Sequence, residues 1–201
     1  MSEMKSALEK ALEKAEKLGK LSPEEVMERK EVEYAPIGRA IAERYLGHGH
    51  KQLLKEEVSR YSGDEQGIVS GAALSRLAEA IDLASDELTE KALVGVLTLK
   101  REMRGGEKGG KGRIGEIIER IRSLLREFRD AQQQRYEGEK ERIEKGGKEL
   151  LHQLRISGSA VGAINLKASE AWGVISQELY SQFNERLGAL KRELLNLLVE
   201  S

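Results

Sequence analysis

Three places in this sequence gather residue types that could do chemistry. Gly105-Gly106-Glu107-Lys108-Gly109-Gly110-Lys111 fills the first seven positions of the phosphate-cradling loop GxxxxGK[ST], where backbone N–H groups and a lysine hold phosphate oxygens. The eighth position, which needs a hydroxyl for Mg²⁺, is Gly112, and the preceding Leu97-Thr98-Leu99-Lys100-Arg101 reads as the end of a helix rather than a buried strand. A flexible basic linker is the better reading. His48 and His50 flank Gly49, and a metal would need Glu43, Glu56 or Glu57 to converge on them. Residues two apart do not share a helical face, so an exposed turn is the simpler account and no metal site is assigned. The lone Trp172 sits at helical spacing among Leu and Ile, which suits a packing or interface anchor better than a platform for a ligand.

Other catalytic chemistries lack their residues. The chain has no cysteine, which excludes disulfides, thiolate metal sites and cysteine nucleophiles. No serine lies in a GxSxG elbow, and the glutamates alternate with lysines as solvated helix faces do. No catalytic residue and no cofactor is expected. Lys100 to Arg113 combines five glycines, six basic and two acidic residues, so Lys100, Arg101, Arg104, Lys108, Lys111 and Arg113 are candidate phosphate contacts. Without aromatic side chains to stack on bases, any nucleic-acid binding there is expected to be non-specific and sensitive to salt.

The elements that must position these residues are helices. Aromatics make up only 4% of the chain and there are two prolines, so the core has to come from Leu, Ile, Val and Ala at helical spacing, and the fold class expected is all-α. From Ala160 to Ser201 a stripe recurs in steps of three and four: Trp172, Ile175, Leu179, Phe183, Leu187, Leu190, Leu194 and Leu197. Such a helix is roughly 60 Å long at about 1.5 Å per residue, and its apolar side needs cover from the N-terminal region or another subunit. These eight side chains are the expected interface.

The rest of the chain divides accordingly. Residues 4–18 form an amphipathic pattern ended by Gly19, and Ser22-Pro23-Glu24-Glu25 is a capping box that starts the next helix. Pro36 is expected to break or kink that helix and Gly47 to close it. Further helices are expected over 51–61, 66–84 and from Ser85-Asp86-Glu87 onward. The organisation expected is a compact helical domain over 1–104, a Gly/Lys linker over 105–112 and a long antiparallel helical hairpin, coiled-coil-like, over 113–201. Ile114, Ile117, Ile118, Ile121, Leu124, Leu125 and Phe128 give the hairpin's first helix an apolar face that fades between Arg129 and Glu149. A turn at Gly146-Gly147 sets that face beside 165–180 and is preferred; a turn at Ser157-Gly158-Ser159 sets the polar segment beside Trp172 to Phe183.

A net charge of −1 excludes a protein that coats nucleic acid with its whole surface. The longest apolar run, Ala92 to Leu99, is too short to span a membrane, and Met1-Ser2-Glu3 lacks the start of a secretion signal, so a cytoplasmic address is expected. The function expected is a non-enzymatic interaction or scaffold protein that forms a homo-oligomer or docks a protein partner through the last helix. The second reading is an RNA- or ribosome-associated factor using 100–113 with Arg120, Arg122, Arg126 and Arg129.

Overall fold

The computed structural model describes residues 22–103, 112–153 and 170–199. Among the described residues six helices run in order: α1 (Pro23–His48), α2 (Lys51–Val58), α3 (Gly63–Glu79), α4 (Asp86–Met103), α5 (Arg113–Gln153) and α6 (Glu170–Val199). No strand occurs among the described residues, and the fold is all-α. None of the described helices is long and apolar enough to cross a membrane. The packing divides the chain between Ala73 and Leu74, inside α3.

In the first unit the capping box forms as its sequence dictates. The Ser22 N–H donates to Glu25 Oε2 at 2.7 Å, and the Glu25 N–H donates to Ser22 Oγ at 3.1 Å. Pro36 makes no break in α1, which runs for 26 residues through it. The carbonyl that loses its partner belongs to Val32, a residue 78% exposed, so water can satisfy it in place of the missing N–H. The helix closes at Gly49 rather than Gly47: Gly49 takes φ 74°, the left-handed cap, and its N–H donates to Tyr45 O at 2.7 Å.

Gly38, Ile41, Ala42, Tyr45 and Leu46 form the buried face of α1, and Leu54, Val58, Val69 and Ala73 complete this unit's core. Gly38 allows the closest approach. A Cβ there would lie 2.2 Å from Val69 O and 2.9 Å from Ala72 Cβ, so α1 and α3 cross with backbone against backbone. Arg44 grips the largely buried Glu57 carboxylate with both Nη atoms at 2.8 Å, and Tyr34 and Tyr61 meet edge to face at 5.9 Å.

The second unit holds the end of α3, α4, α5 and α6. The expected domain boundary at 105–112 is not where the packing divides, because α4, which precedes that segment, is bound to α5 and α6. Arg122 Nε donates to Glu90 at 3.0 Å, Arg129 clasps Asp86, and Lys100 Nζ donates to Leu198 O at 3.2 Å. Helix α5 also runs straight through Gly146 and Gly147, so the preferred turn there is not made; Ser157 to Ser159 lie outside the described residues. A glycine in a helix costs about 1 kcal/mol relative to alanine, and burying a Leu or Ile gains roughly 1.5–3 kcal/mol. Two glycines are therefore too weak to set the register against the facing leucines and isoleucines.

The crossing at Gly38 makes two opposite predictions. Gly38→Ala should destabilise the protein by about 1–3 kcal/mol despite its better helix propensity, because the methyl group meets a carbonyl. Gly47→Ala, with nothing within 4 Å of the added carbon, should stabilise it by about 0.5–1 kcal/mol. Denaturant unfolding of the two variants measures both signs.

Candidate functional site

A polar cluster in the second unit surrounds the link between α3 and α4. Thr89, wholly buried, donates its hydroxyl to Asp82 O at 2.7 Å and accepts from the Asp82 N–H at 2.8 Å. Lys191 Nζ of α6 donates to Glu79 O at 3.1 Å and Ile81 O at 2.8 Å, while Arg129 Nη2 of α5 donates to Leu83 O at 2.9 Å. Every second carbonyl from 79 to 83 thus accepts a cation from one of the two long helices. The link leaves the C-terminal end of α3, where the helix dipole favours positive charge. Tyr180 adds a long contact, 3.4 Å, to both Asp82 carboxylate oxygens.

These surroundings move two ionisations. Burial lowers the pKa of the Lys191 ammonium, with the Asp82 and Glu79 carboxylates pulling it back up. Tyr180 is raised, first by burial and then by the neighbouring Asp82 charge. The chemistry available here is structural: donors that satisfy carbonyls at the end of a helix.

Helices α5 and α6 pack antiparallel along a register set by named pairs. Arg120 bonds Glu193, Glu127 bonds Arg186, Phe128 meets Phe183 at 5.4 Å between ring centres, and Tyr136 meets Trp172 edge to face at 5.2 Å. The face of α5 from Ile117 to Phe128 therefore lies against Leu187, Leu190 and Leu194, and the polar part of α5 lies against Trp172 to Leu179. Arg186 also stacks over Phe183 at 5.1 Å.

This geometry redistributes the expected interface. Leu179, Leu187, Leu190, Leu194 and Leu197 are buried within the single chain, and Leu194 is completely shielded. The helix packed along them is α5. Trp172, Ile175 and Phe183 are only half-buried, and Val174, which the stripe did not include, is 58% exposed.

The candidate phosphate contacts fare differently. Lys100 is 6% exposed with its ammonium on Leu198 O, at the C-terminal end of α6, so it caps a helix and is closed to phosphate. Arg113 opens α5 and is exposed; the Arg101 side chain and all of Arg104, Lys108, Lys111 and the loop Gly105–Lys111 lie outside the described residues. Arg120, Arg122 and Arg129 each hold a carboxylate. Arg126 is exposed beside Arg122, Arg129, Asp86, Glu90 and Asp130. His48 ends α1 and His50 precedes α2, and among the described residues no group of three His, Cys, Asp or Glu could hold a metal ion.

Reading the sequence did not single out Lys191, Thr89 or Asp82, since an isolated lysine on a helix carries no signal for a distant carbonyl. Comparison with protein families, curated protein sequences and solved structures returned no match to this chain.

Two measurements test this account. Leu194→Ala should cost about 2–5 kcal/mol in chemical denaturation, as large-to-small changes in packed cores do. The pKa of Lys191 lies below the ordinary lysine value of 10.5 in the folded chain, so the unfolded chain binds more protons between the two values. Its stability contribution is complete above 10.5 and is lost as pH falls through the folded pKa. Raising the pH from about 8 to about 10 should therefore increase the stability of the wild type relative to Lys191→Met, whose side chain cannot titrate.

Proposed function

We propose that this chain is a non-enzymatic helical interaction protein whose working surface is the α5–α6 hairpin, with a second copy or a protein partner docking there. The observation that carries this reading is a mismatch along the hairpin. The stripe of α6 continues through Trp172 and Ile175, but the facing part of α5 supplies Tyr136 within an otherwise polar run. Val174 is 58% exposed on another face of the same end of α6, so that end carries apolar surface that α5 does not shield. A half-buried tryptophan packed edge to face on Tyr136 at a partly covered helix face suits an interface anchor. A cytoplasmic address belongs to the same reading.

Association through phosphate contacts has less support. Lys100, Arg120, Arg122 and Arg129 already serve carbonyls or carboxylates, which leaves that reading to Arg113, Arg126 and residues of the basic segment.

The test compares the wild type with Trp172→Ala/Val174→Ser by light scattering and by cross-linking pull-down from the native cell. The double variant should weaken association at least about tenfold. Its melting temperature should stay within about 4 °C of the wild type, since both sites lie at the poorly covered end. A wild type that stays monomeric and recovers no specific partner would end the reading. Salt-sensitive RNA binding that survives the double variant would favour phosphate contact instead.

A further inference from the structure

The two helices of the hairpin carry one octad twice. Residues 120–127 read Arg-Ile-Arg-Ser-Leu-Leu-Arg-Glu and residues 186–193 read Arg-Leu-Gly-Ala-Leu-Lys-Arg-Glu, with Arg, Leu, Arg and Glu recurring at the first, fifth, seventh and eighth places. The first, fourth, fifth and eighth places of an octad share one helical face. Antiparallel packing sets the first place of one octad beside the last of the other. Arg120 Nη1 donates to both Glu193 oxygens at 3.0 and 2.9 Å, and Arg186 Nη2 donates to Glu127 Oε2 at 2.8 Å.

Between these two ion pairs lies a shallow groove of about 410 Å³, floored by Ser123, Leu124, Ala189 and Leu190. The four charged side chains on its rim are between 49% and 58% exposed. They mark a rectangle with the arginines on one diagonal and the glutamates on the other.

We infer that this groove docks on the same groove of a second copy of the chain, about a two-fold axis that lies in the interface and runs along or across the helices. This inference rests on the reading of the hairpin as an interaction surface and commits it to one partner. Rotation about such an axis places each corner over the neighbouring corner along one edge of the rectangle. Every edge joins an arginine to a glutamate, so all four corners meet the opposite charge at once. Rotation about a diagonal would set arginine on arginine, and the same charges reject that arrangement. A foreign helix would need this alternation matched on its own surface, whereas a second copy carries it by symmetry. Ser123 and Ala189 keep the floor shallow, and Gly188 beside them has open space where a side chain would stand. Exposed ion pairs are weak and screened by salt, so the dimer is salt-sensitive.

The experiment uses the full chain in sedimentation velocity at low and high salt, with two charge-swapped variants. Arg120→Glu/Arg186→Glu gives an all-acidic rim and Glu127→Arg/Glu193→Arg an all-basic one. The wild type should dimerise and weaken with salt, each variant alone should dimerise at least about tenfold more weakly, and an equimolar mixture of the two should recover a heterodimer. Dimers of undiminished strength in the single variants, or no recovery on mixing, would overturn the groove as the interface while leaving association near Trp172 intact. A wild type monomeric at every concentration would overturn self-association, and the Trp172 variant would then decide the broader reading alone. Where thermal melting shows that a swapped rim unfolds the hairpin, the quadruple variant R120Q/E127Q/R186Q/E193Q replaces it without like-charge repulsion. Loss of its dimer and of its salt dependence supports the inference, and an unchanged dimer overturns it.

Discussion

The antiparallel register of α5 on α6 is the constraint on which the second unit depends. Setting Ile117 to Phe128 against Leu187 to Leu194 buries the strongest apolar face of each helix, and every other contact of the hairpin follows from that alignment. The same register forces the polar continuation of α5 beside Trp172 and Ile175. One end of the hairpin is consequently dry, and at the other, among the described residues, Val174 is exposed and Trp172 and Ile175 are half-buried. No register can shield both ends, because the apolar face of α5 spans little more than a third of its length.

The ion pairs and carbonyl contacts act differently from this apolar term. Exposed pairs such as Arg120–Glu193 add little stability singly and mark the register that the apolar burial sets. Lys191 and Arg129 do more, since they satisfy carbonyls where α3 ends, and a buried carbonyl without a donor costs about 1–3 kcal/mol. The link between α3 and α4 is thus held by side chains from α5 and α6, 46 to 112 residues further along the chain. That explains why α4 belongs with the hairpin although a glycine-rich segment separates them in sequence.

Local signals were legible wherever a few neighbouring residues suffice. The Ser22–Glu25 box, the Ser85 cap and the helical period of every described element follow from spacing and side-chain chemistry. Pro36 misled because the cost of a proline depends on whether the freed carbonyl meets water, which is a property of the folded surface. Gly146 and Gly147 misled for a related reason. Matching Ile117 to Phe128 with the leucines near the C-terminus outweighs setting the polar segment beside Trp172.

What the sequence determined by itself was the class of structure and its stock of faces. Helical periods, few aromatics and an absence of cysteine allow helices built on Leu and Ile and exclude thiol chemistry, whatever the topology. Tertiary structure alone decided which of those faces are covered. Burial is a sum over partners distant in the chain, so the leucines from 187 to 197 could be read as a stripe but not as a stripe already shielded. For the same reason Lys100, one more cation in a basic run when read in order, proved to be the donor that closes the end of α6.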